Sequence, residues 1–342
     1  MSGLAGKLPV RLLRKYVFSR VGLRDPDVIV GPSYGEDASV IKVCDGKVLV
    51  VHSDPITGAK KRLGWLAVHI PCNDIAVRGA KPRWLLPTLL LPEKTGEDVL
   101  DEITAQMDEA ASEIGVMIVG GHTEYTVGID RPLVAVTAMG LTDEDRYVTT
   151  SGAEPGDLVV MTKTAAVEGT AILASDMADL LSSKGVPEDV LAEARRYSGF
   201  ISAVEEALTL AEVGVDAMHD PTEGGLLGGL AEMAYASGVL IEAWEDKIPV
   251  STETRTICGA LGIDPLKLIS SGVVVAAIRE DKVEEASRRL KKLGGRLTVI
   301  GRVVEGKGLK LYRSDGHVEY VGEFVEDELF KLLSRLKAGR NL

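Results

Sequence analysis

Five segments of the chain place an acid beside glycine, proline or a polar turn residue, close to where an apolar stretch ends. Ligand sites in α/β folds lie at the carboxyl ends of strands, where helices also begin. Taken singly, each acid is most simply explained as a cap or turn residue. Together, such scattered carboxylates suit Mg²⁺ that is held jointly with the phosphates of a substrate. The segments are GPSYGEDASVI with Glu36 and Asp37, VLVVHSDP with Asp54, IPCNDIAVRGAKP with Asn73 and Asp74, MIVGGHTE with His122 and Glu124, and VGVDAMHDPTEGG with Asp220 and Glu223.

The segment HDPTEGG can be interpreted either as a helix cap or as part of a metal and phosphate site. Asp220 as N-cap, Pro221 as first helical residue and Glu223 as third would form a capping box. Capping does not require four glycines among the six positions from Gly224 to Gly229, and each glycine costs a helix about 1 kcal/mol relative to alanine. A helix N-terminus with exposed N–H groups, beside carboxylates for a metal ion, is the functional alternative. The segment alone leaves both interpretations open.

The elements that must position these acids follow from hydrophobic periodicity. The first half of the chain predicts a strand at Val48 to Val51, a helix from Lys61 to Arg78, a strand in PRWLLPTLLLP, an amphipathic helix from Glu97 to Glu113, and buried strands in MIVGG and LVAVTAMG. After the turn-rich TSGAEPGD the pattern begins again, with strands in LVVM, VLIEAW, SGVVVAAI, RLTVIGRVV and LKLYR among helices. We therefore predict two α/β domains, residues 1–152 and 153–342.

Composition narrows the classes of function. The chain has 342 residues, a net charge of −12 and 4% aromatic residues. An acidic chain with few aromatic residues does not favour nucleic acid as a partner, and no apolar run has the length of a membrane span. Cys44, Cys72 and Cys258 lie far apart, which fits a reducing compartment, and we expect a cytoplasmic protein.

Three other site chemistries find less support in the sequence. His52, His122 and His219 each lie within two residues of an acid of these segments, as in a zinc hydrolase, but HExxH and HxH spacings are absent. The chain also has neither a Walker A motif nor a GxGxxG motif, so that a P-loop nucleotidase and a Rossmann dehydrogenase are not indicated.

The order and spacing of GPSYGEDASVI, HSDP, NDIAVRGAKP, VGGHTE and DPTEGG resemble the aminoimidazole ribonucleotide (AIR) synthetase superfamily. The similarity runs over nearly the whole chain. It is closest to the hydrogenase-maturation branch of HypE-like carbamoyl dehydratases, notably in KLPVRLLRKYVFSR and PVSTETRTICGALGIDPL, and extends to thiamine-monophosphate kinase. The resemblance implies an N-terminal mixed sheet with helices, a C-terminal α/β domain, and ATP-dependent phosphoryl transfer. It also implies a homodimer that packs its N-terminal sheets together, with ATP near the interface.

By position, the resemblance assigns Mg²⁺ and the ATP phosphates to Asp37, Asp54, Asp74 and Asp220, of which Asp54 and Asp74 are the catalytic candidates. Asn73 would contact the nucleotide or a phosphate. The further cofactor-binding candidates, among them glycines that would let backbone approach the phosphates, are Gly35, Gly120, Gly121, Thr123, Thr222, Gly224 and Gly225.

The sequence also departs from the family. His122 stands where the kinase has an acid, a ligand that Glu124 would have to replace. Carbamoyl dehydratases end in a cysteine, whereas this chain ends KLLSRLKAGRNL and its last cysteine is Cys258. Cys72 is interpreted as a small buried thiol. The acceptor is a small molecule or a carbamoylated maturation partner, and the alternatives are a small-metabolite kinase or a nucleotide-binding partner without turnover.

Overall fold

The computed structural model describes residues 10–16, 18, 20 and 25–337. The expectation about a terminal cysteine concerns residues 338–342, which lie outside this part. Of the N-terminal segment KLPVRLLRKYVFSR, the described residues are Val10–Tyr16, Phe18 and Arg20. No helix within the described ranges has both the length and the apolar character needed to cross a membrane.

The first half of the chain builds a mixed sheet. Its strands run in the order β1-β2-β3-β7-β4-β5, and β6 also pairs with β4. Neighbours are antiparallel except for β5 and β6, which run parallel to β4. The strands are β1 (Val28–Val30), β2 (Ser39–Lys42), β3 (Lys47–Ile56), β4 (Lys81–Pro92), β5 (Met117–Ile118), β6 (His122–Thr126) and β7 (Leu133–Asp143), and the helices are α1 (Val10–Tyr16), α2 (Leu63–Val77) and α3 (Glu97–Ile114).

The second half builds another seven-stranded sheet, in the order β14-β13-β10-β12-β8-β11-β9. Neighbouring strands of this sheet are antiparallel, except that β10 and β13 run parallel to each other. The strands are β8 (Leu158–Thr162), β9 (Ala217–His219), β10 (Leu240–Trp244), β11 (Val275–Ile278), β12 (Leu297–Val304), β13 (Gly308–Tyr312) and β14 (Val318–Val321). The helices are α4 (Val167–Asp176), α5 (Ala178–Ser183), α6 (Glu188–Arg195), α7 (Val204–Val213), α8 (Gly225–Ser237), α9 (Thr252–Leu261), α10 (Glu280–Lys292) and α11 (Glu328–Lys337).

The two-sheet α/β architecture confirms the predicted fold class, and the periodicity placed α3 within one residue at its C-terminal end. The sheets span residues 28–143 and 158–321, on either side of the turn-rich segment. The exact domain boundary at 152/153 stays a prediction.

Helix α2 joins the two halves. Every residue of α2 is buried, because the helix packs on β3 and β7 of its own sheet, on α3, and on α7 of the second half. A helix that is buried on all sides must be apolar all round. The sequence LGWLAVHIPCNDIAV meets this requirement apart from His69, Asn73 and Asp74, so these polar side chains need partners or a function.

One carboxylate network stabilises the second sheet. Glu242 on β10 accepts hydrogen bonds from Tyr312 Oη at 2.7 Å and from Arg302 Nη2 at 2.8 Å, and Lys310 Nζ lies at 3.3 Å. Tyr312 and Arg302 lower the pKa of Glu242 to about 2. Because the folded pKa is depressed, the stabilisation is present above the unfolded pKa near 4.5 and is lost as pH falls towards 2.

We expect Glu242→Gln to lower the free energy of unfolding by about 2 kcal/mol near neutral pH, since charge-assisted hydrogen bonds become neutral ones. The difference between wild type and variant should shrink as pH falls below about 4.5. Urea unfolding of both proteins at a series of pH values measures it. A difference that is independent of pH would contradict this account of the network.

Candidate functional site

Four of the predicted ligands form one acidic cluster where the two halves of the chain meet. Carboxylate oxygens of Asp37, Asp74 and Asp220 lie within 4.8 Å of one another. Ligand atoms of His52, Asp54 and Asp74 form a second group of the same compactness. Because Asp74 belongs to both groups, the four aspartates are continuous. The structure thus brings together acids that are up to 183 positions apart in the sequence (Asp37 to Asp220).

The sequence predicted that these acids follow the ends of strands, which is confirmed for two of them and wrong for one. Asp54 lies on β3, two residues before the strand ends at Ile56, and Asp220 directly follows β9. Asp37 lies in the turn between β1 and β2. Asp74, however, follows no strand, because it lies on α2 three residues before the helix ends at Val77. The burial of α2 between the two halves, rather than a strand end, carries Asp74 into the cluster.

The cluster has the properties of a cation site. Asp220 is 1% exposed, and among the described residues its carboxylate accepts no hydrogen bond from an N–H or hydroxyl group, because its side-chain partner is the carboxyl group of Asp74. Burial, and next the charge of Asp74, raise the pKa of Asp220 well above its ordinary value. Burial and the charge of Asp54 do the same to the pKa of Asp74. A divalent cation would relieve both the lost hydration and the repulsion, so the donor set fits Mg²⁺.

Arg78 fixes one side of the cluster. Its fully buried guanidinium donates to Glu36 Oε2 at 2.7 Å and to Asp37 Oδ2 at 2.7 Å. It also donates to Thr150 Oγ1 at 2.9 Å and to the backbone oxygen of Met218, directly before the strand residue His219. Arg78 was not among the site residues predicted from the sequence. A basic residue four positions after Asp74, at the end of an otherwise uncharged helix, was the available signal.

His219 holds the same carboxylate from the other side. Its Nδ1 lies 2.6 Å from Asp37 Oδ1 and its Nε2 lies 3.0 Å from Glu232 Oε2. Burial alone would lower the pKa of His219, but the charges of Asp37 and Glu232 outweigh it and raise this pKa to about 10. Likewise, His219 and Arg78 outweigh burial and lower the pKa of Asp37. Asp37 is therefore an anchored carboxylate.

A cavity of about 270 Å³ opens on the cluster, and we call it the main cavity. Asp37, Asp54 and Asp74 line it, together with the predicted cofactor-binding residues Gly35 and Thr222. Its other walls come from both halves of the chain, because α1, the turn before β2, α8 and the segment after β14 all contribute. A ligand here would contact both halves at once.

The GGHTE segment does not line the main cavity. Gly120, Gly121 and Thr123 line a separate cavity of about 390 Å³ beside β4 and α3. His122 and Glu124 are exposed on β6 and pair with each other, with His122 Nε2 at 3.1 Å from Glu124 Oε2. Within the single chain, the three predicted residues are therefore separated from the aspartates, and Glu124 does not join the acidic cluster.

At Asn73, where a nucleotide or phosphate contact was predicted, the structure shows two protein partners. Asn73 is fully buried, and its side-chain amide donates to the backbone oxygen of Ile201 at 2.9 Å and accepts from Ala203 N–H at 2.8 Å. Both polar ends of the side chain are thus used to bind α2 to the segment before α7. Asn73 joins the two halves of the chain and does not face the main cavity.

The structure decides whether HDPTEGG forms the predicted helix cap. The helix begins at Gly225 rather than at Pro221, and its N-cap is Gly224 with φ +89°. The capping box is therefore wrong, and the Asp220 carboxylate is free for the acidic cluster. Gly224 N–H donates to Asp327 Oδ2 at 2.9 Å and Gly225 N–H to Thr222 O at 3.0 Å.

Protein groups also occupy the surroundings of Gly224 and Gly225, the two glycines for which a phosphate contact was predicted. Besides having occupied N–H groups, both residues are buried against protein backbone. A Cβ at Gly224 would lie 2.8 Å from Val325 O, and one at Gly225 would lie 2.7 Å from Leu266 O. These two glycines permit close packing of the loop that carries Asp220, which in turn positions its carboxylate.

Neither Cys72 nor the three histidines form a reactive or zinc-binding group among the described residues. Cys72 is fully buried in α2, and burial raises the pKa of its thiol, in agreement with the interpretation as a buried thiol. The two ligand-type groups in the described part of the chain contain one of the three zinc candidates, His52. His122 pairs with Glu124 and His219 with Asp37 and Glu232, so the three histidines do not converge.

A further acid that the sequence analysis missed lies behind the cluster. Glu168 on α4 is 2% exposed, and burial raises its pKa to about 8. A hydrogen bond with Ser271 opposes this shift, and the carboxylates of Glu223, Asp327 and Asp54 add to it. The signal for Glu168 was an acid within the otherwise apolar helical segment VEGTAILA.

Comparison with known proteins identifies the family. Residues 35–142 match the AIR synthase related protein N-terminal domain, and residues 154–314 match the corresponding C-terminal domain. The chain belongs to this family. It is 30% identical over 320 residues to a putative hydrogenase expression/formation protein of Methanocaldococcus jannaschii, covering 90% of this chain and 92% of that protein. It is 32% identical to the carbamoyl dehydratase HypE of Azotobacter vinelandii, covering 71% and 70%.

Solved structures share the fold. The hydrogenase maturation protein HypE in complex with ATP superimposes with a TM-score of 0.70 at 23% identity, covering 96% of this chain and 98% of that one. Thiamine-monophosphate kinase from Aquifex aeolicus, at 21% identity, shares the fold as well. The resemblance seen in the sequence, to the superfamily, to its HypE-like branch and to the kinase, is confirmed.

The glycines at the two ends of α8 provide a matched test of the packing argument. Gly224 and Gly238 both have positive φ, +89° and +70°, but a Cβ at Gly238 would meet nothing within 4 Å. Both alanine variants should lose about 1 kcal/mol of stability from backbone strain. Gly224→Ala should lose at least about 1 kcal/mol more because of the clash with Val325 O. Denaturant unfolding measures both, and equal losses would contradict the packing role.

Proposed function

We propose that the protein is an Mg²⁺- and ATP-dependent phosphoryl-transfer enzyme that acts in hydrogenase maturation. The observation that carries the proposal is Asp220, a buried carboxylate that lies against the carboxyl groups of Asp74 and Asp37. Such a group is costly unless a cation is bound. The named relatives and the ATP complex of a HypE support the same conclusion. The cytoplasmic location expected from the three unpaired cysteines belongs to this proposal.

In this mechanism Asp37, Asp54, Asp74 and Asp220 would hold Mg²⁺ and, through it, the ATP phosphates. The metal supplies charge neutralisation at the transferred phosphoryl group. Arg78 and His219 keep Asp37 ionised and fixed in orientation, so that little reorganisation is needed when charge develops. The main cavity, with walls from both halves of the chain, would hold the reacting groups next to each other.

Asp220→Asn tests the cation site. Removing the buried charge should raise the melting temperature of the metal-free protein, because repulsion with Asp74 disappears. The same change should lower ADP formation from Mg-ATP by at least about a hundredfold. Asp157→Asn is the control, since Asp157 is equally buried (4%) but lies outside the cluster and binds the backbone N–H of Glu154.

Unchanged turnover in Asp220→Asn would overturn the site. A wild type that binds Mg-ATP but forms no ADP would instead support a nucleotide-binding maturation partner without turnover.

A homodimer forms part of the proposal, as the resemblance implies. The first sheet has one face covered by α2 and α3 and one open face, which carries Leu49, Val51, Trp84, Leu86, Met139 and Leu141. Cross-strand rows such as Val51–Met139–Trp84 make this open face apolar. Leu86 is 39% exposed. His122 pairs with Thr88 and so lies at the edge of the same face, which would bring the GGHTE segment to the interface.

Leu86→Asp should convert the dimer into a monomer, because it places a charge within the apolar interface. Leu293→Asp is the control, since Leu293 is comparably exposed (47%) but follows α10 in the second half. Sedimentation velocity measures the mass of each protein. A monomeric wild type, or a dimeric Leu86→Asp variant, would contradict the proposed interface.

A further inference from the structure

One face of the second sheet is open to solvent at its β14 edge. Residues that pair directly on neighbouring strands lie on the same side of a sheet. Two adjacent rows of this kind are Tyr320–Lys310–Glu242–Arg302 and Tyr312–Trp244. We call the surface formed by these six residues the aromatic face. None of them lines the main cavity, and the proposed Mg-ATP site does not account for them.

The two sides of this part of the sheet differ in burial. On the side away from the aromatic face, α8 packs on β10 and β13, and Ile241 and Ala243 are fully buried. On the aromatic face, Tyr320 is 76% exposed, and Val318, which extends the second row by pairing with Tyr312, is 39% exposed. A solvated sheet face ordinarily presents polar side chains. A large exposed aromatic side chain in a row with others is instead typical of a protein contact surface.

The aromatic side chains form a rigid group. The rings of Trp244 and Tyr312 are stacked, with centroids 5.5 Å apart and planes 7° from parallel. Lys247 Nζ lies 4.4 Å from the centroid of the Trp244 ring, and Lys310 Nζ lies 4.6 Å from that of Tyr312. Such contacts fix the side chains before a partner arrives, so little conformational entropy is lost on binding. Trp, Tyr and Arg are the residues that most often dominate the binding energy at interfaces.

Charge defines the chemistry of the partner. Arg302 and Lys310 share one carboxylate, that of Glu242, and Lys247 has no ion pair within the described part of the chain. These three cations exceed the two nearby carboxylates, Glu242 and the exposed Asp246. The turn between β12 and β13 adds one acid and one lysine, which cancel. An excess of positive charge on a chain with a net charge of −12 favours an acidic partner.

We propose that the aromatic face binds an acidic segment of a partner protein. The carboxylates of the segment would lie against Lys247, Arg302 and Lys310, and one of its apolar side chains would cover Tyr320. An anionic membrane is disfavoured, because the net charge of the chain repels it and the centre of the face holds the buried carboxylate of Glu242. The docking goes beyond the proposed function, since it requires neither Mg²⁺ nor ATP.

Photo-crosslinking from position 320 identifies the segment. The full chain with benzoylphenylalanine in place of Tyr320 is irradiated in a lysate of the organism that encodes it, and the crosslinked peptide is sequenced by mass spectrometry. We expect a segment of another protein in which Asp and Glu outnumber Lys and Arg. Benzoylphenylalanine in place of Phe200, which is 53% exposed, should not capture the same segment. Crosslinks to a second copy, to a neutral or basic segment, or to no protein would overturn the proposal.

The second test measures binding of a synthetic peptide with the sequence of that segment, by calorimetric titration without Mg²⁺ or ATP. Tyr320→Ala and Lys247→Glu should each raise the dissociation constant at least about tenfold, because the first loses an apolar contact and the second a charge pair. Phe200→Ala and Lys291→Glu are the matched controls. Both residues are exposed in the second half of the chain but lie outside the aromatic face, so these variants should bind as the wild type does.

Folding and turnover separate this proposal from the others. Because Tyr320 and Lys247 are exposed, both variants should keep the melting temperature and the rate of ADP formation of the wild type. Equal affinity of the two variants and the wild type for the peptide would overturn the docking site. A wild type that forms no ADP from Mg-ATP but binds the peptide removes the proposed function and leaves the docking site standing.

Discussion

The buried guanidinium of Arg78 is the interaction on which the site depends. Arg78 follows α2 in the first half of the chain, yet it binds the backbone oxygen of Met218 in the second half. Its other bonds go to Glu36, Asp37 and Thr150. A buried guanidinium that loses these partners is strongly destabilising. The two halves of the chain are therefore held in the one arrangement in which their acids converge.

The pKa values of the aspartates in the acidic cluster are shifted in opposite directions. Asp37 is balanced by Arg78 and His219, and its pKa is lowered. At Asp74 and Asp220, burial and the neighbouring carboxylates outweigh the charges of Arg78 and His219, and the pKa of each is raised. The fold thus fixes one carboxylate as an anchor and leaves two under repulsion. The cation of the proposed function would relieve this repulsion, and its binding would then be coupled to folding stability.

The sequence predicted what depends on local patterns. Runs of β-branched and other apolar residues located several of the strands, and the apolar period of α3 located that helix. The proximity of Asp37, Asp54, Asp74 and Asp220 was also predicted, from the resemblance to the family.

What the sequence could not predict depends on partners far along the chain. Asn73 binds backbone more than 120 residues away, at Ile201 and Ala203. Gly224 and Gly225 pack against Val325 and Leu266, so their purpose is visible only in three dimensions. The separation of Gly120 and Gly121 from the aspartates likewise follows from strand order, because β7 and β4 lie between β3 and β6.

The most direct test of this account is calorimetric titration of ATP into the wild-type protein, with and without Mg²⁺. The account predicts binding that requires Mg²⁺, because the cluster repels the triphosphate until a cation neutralises it. Binding of equal affinity without Mg²⁺, or no binding in either condition, would contradict it.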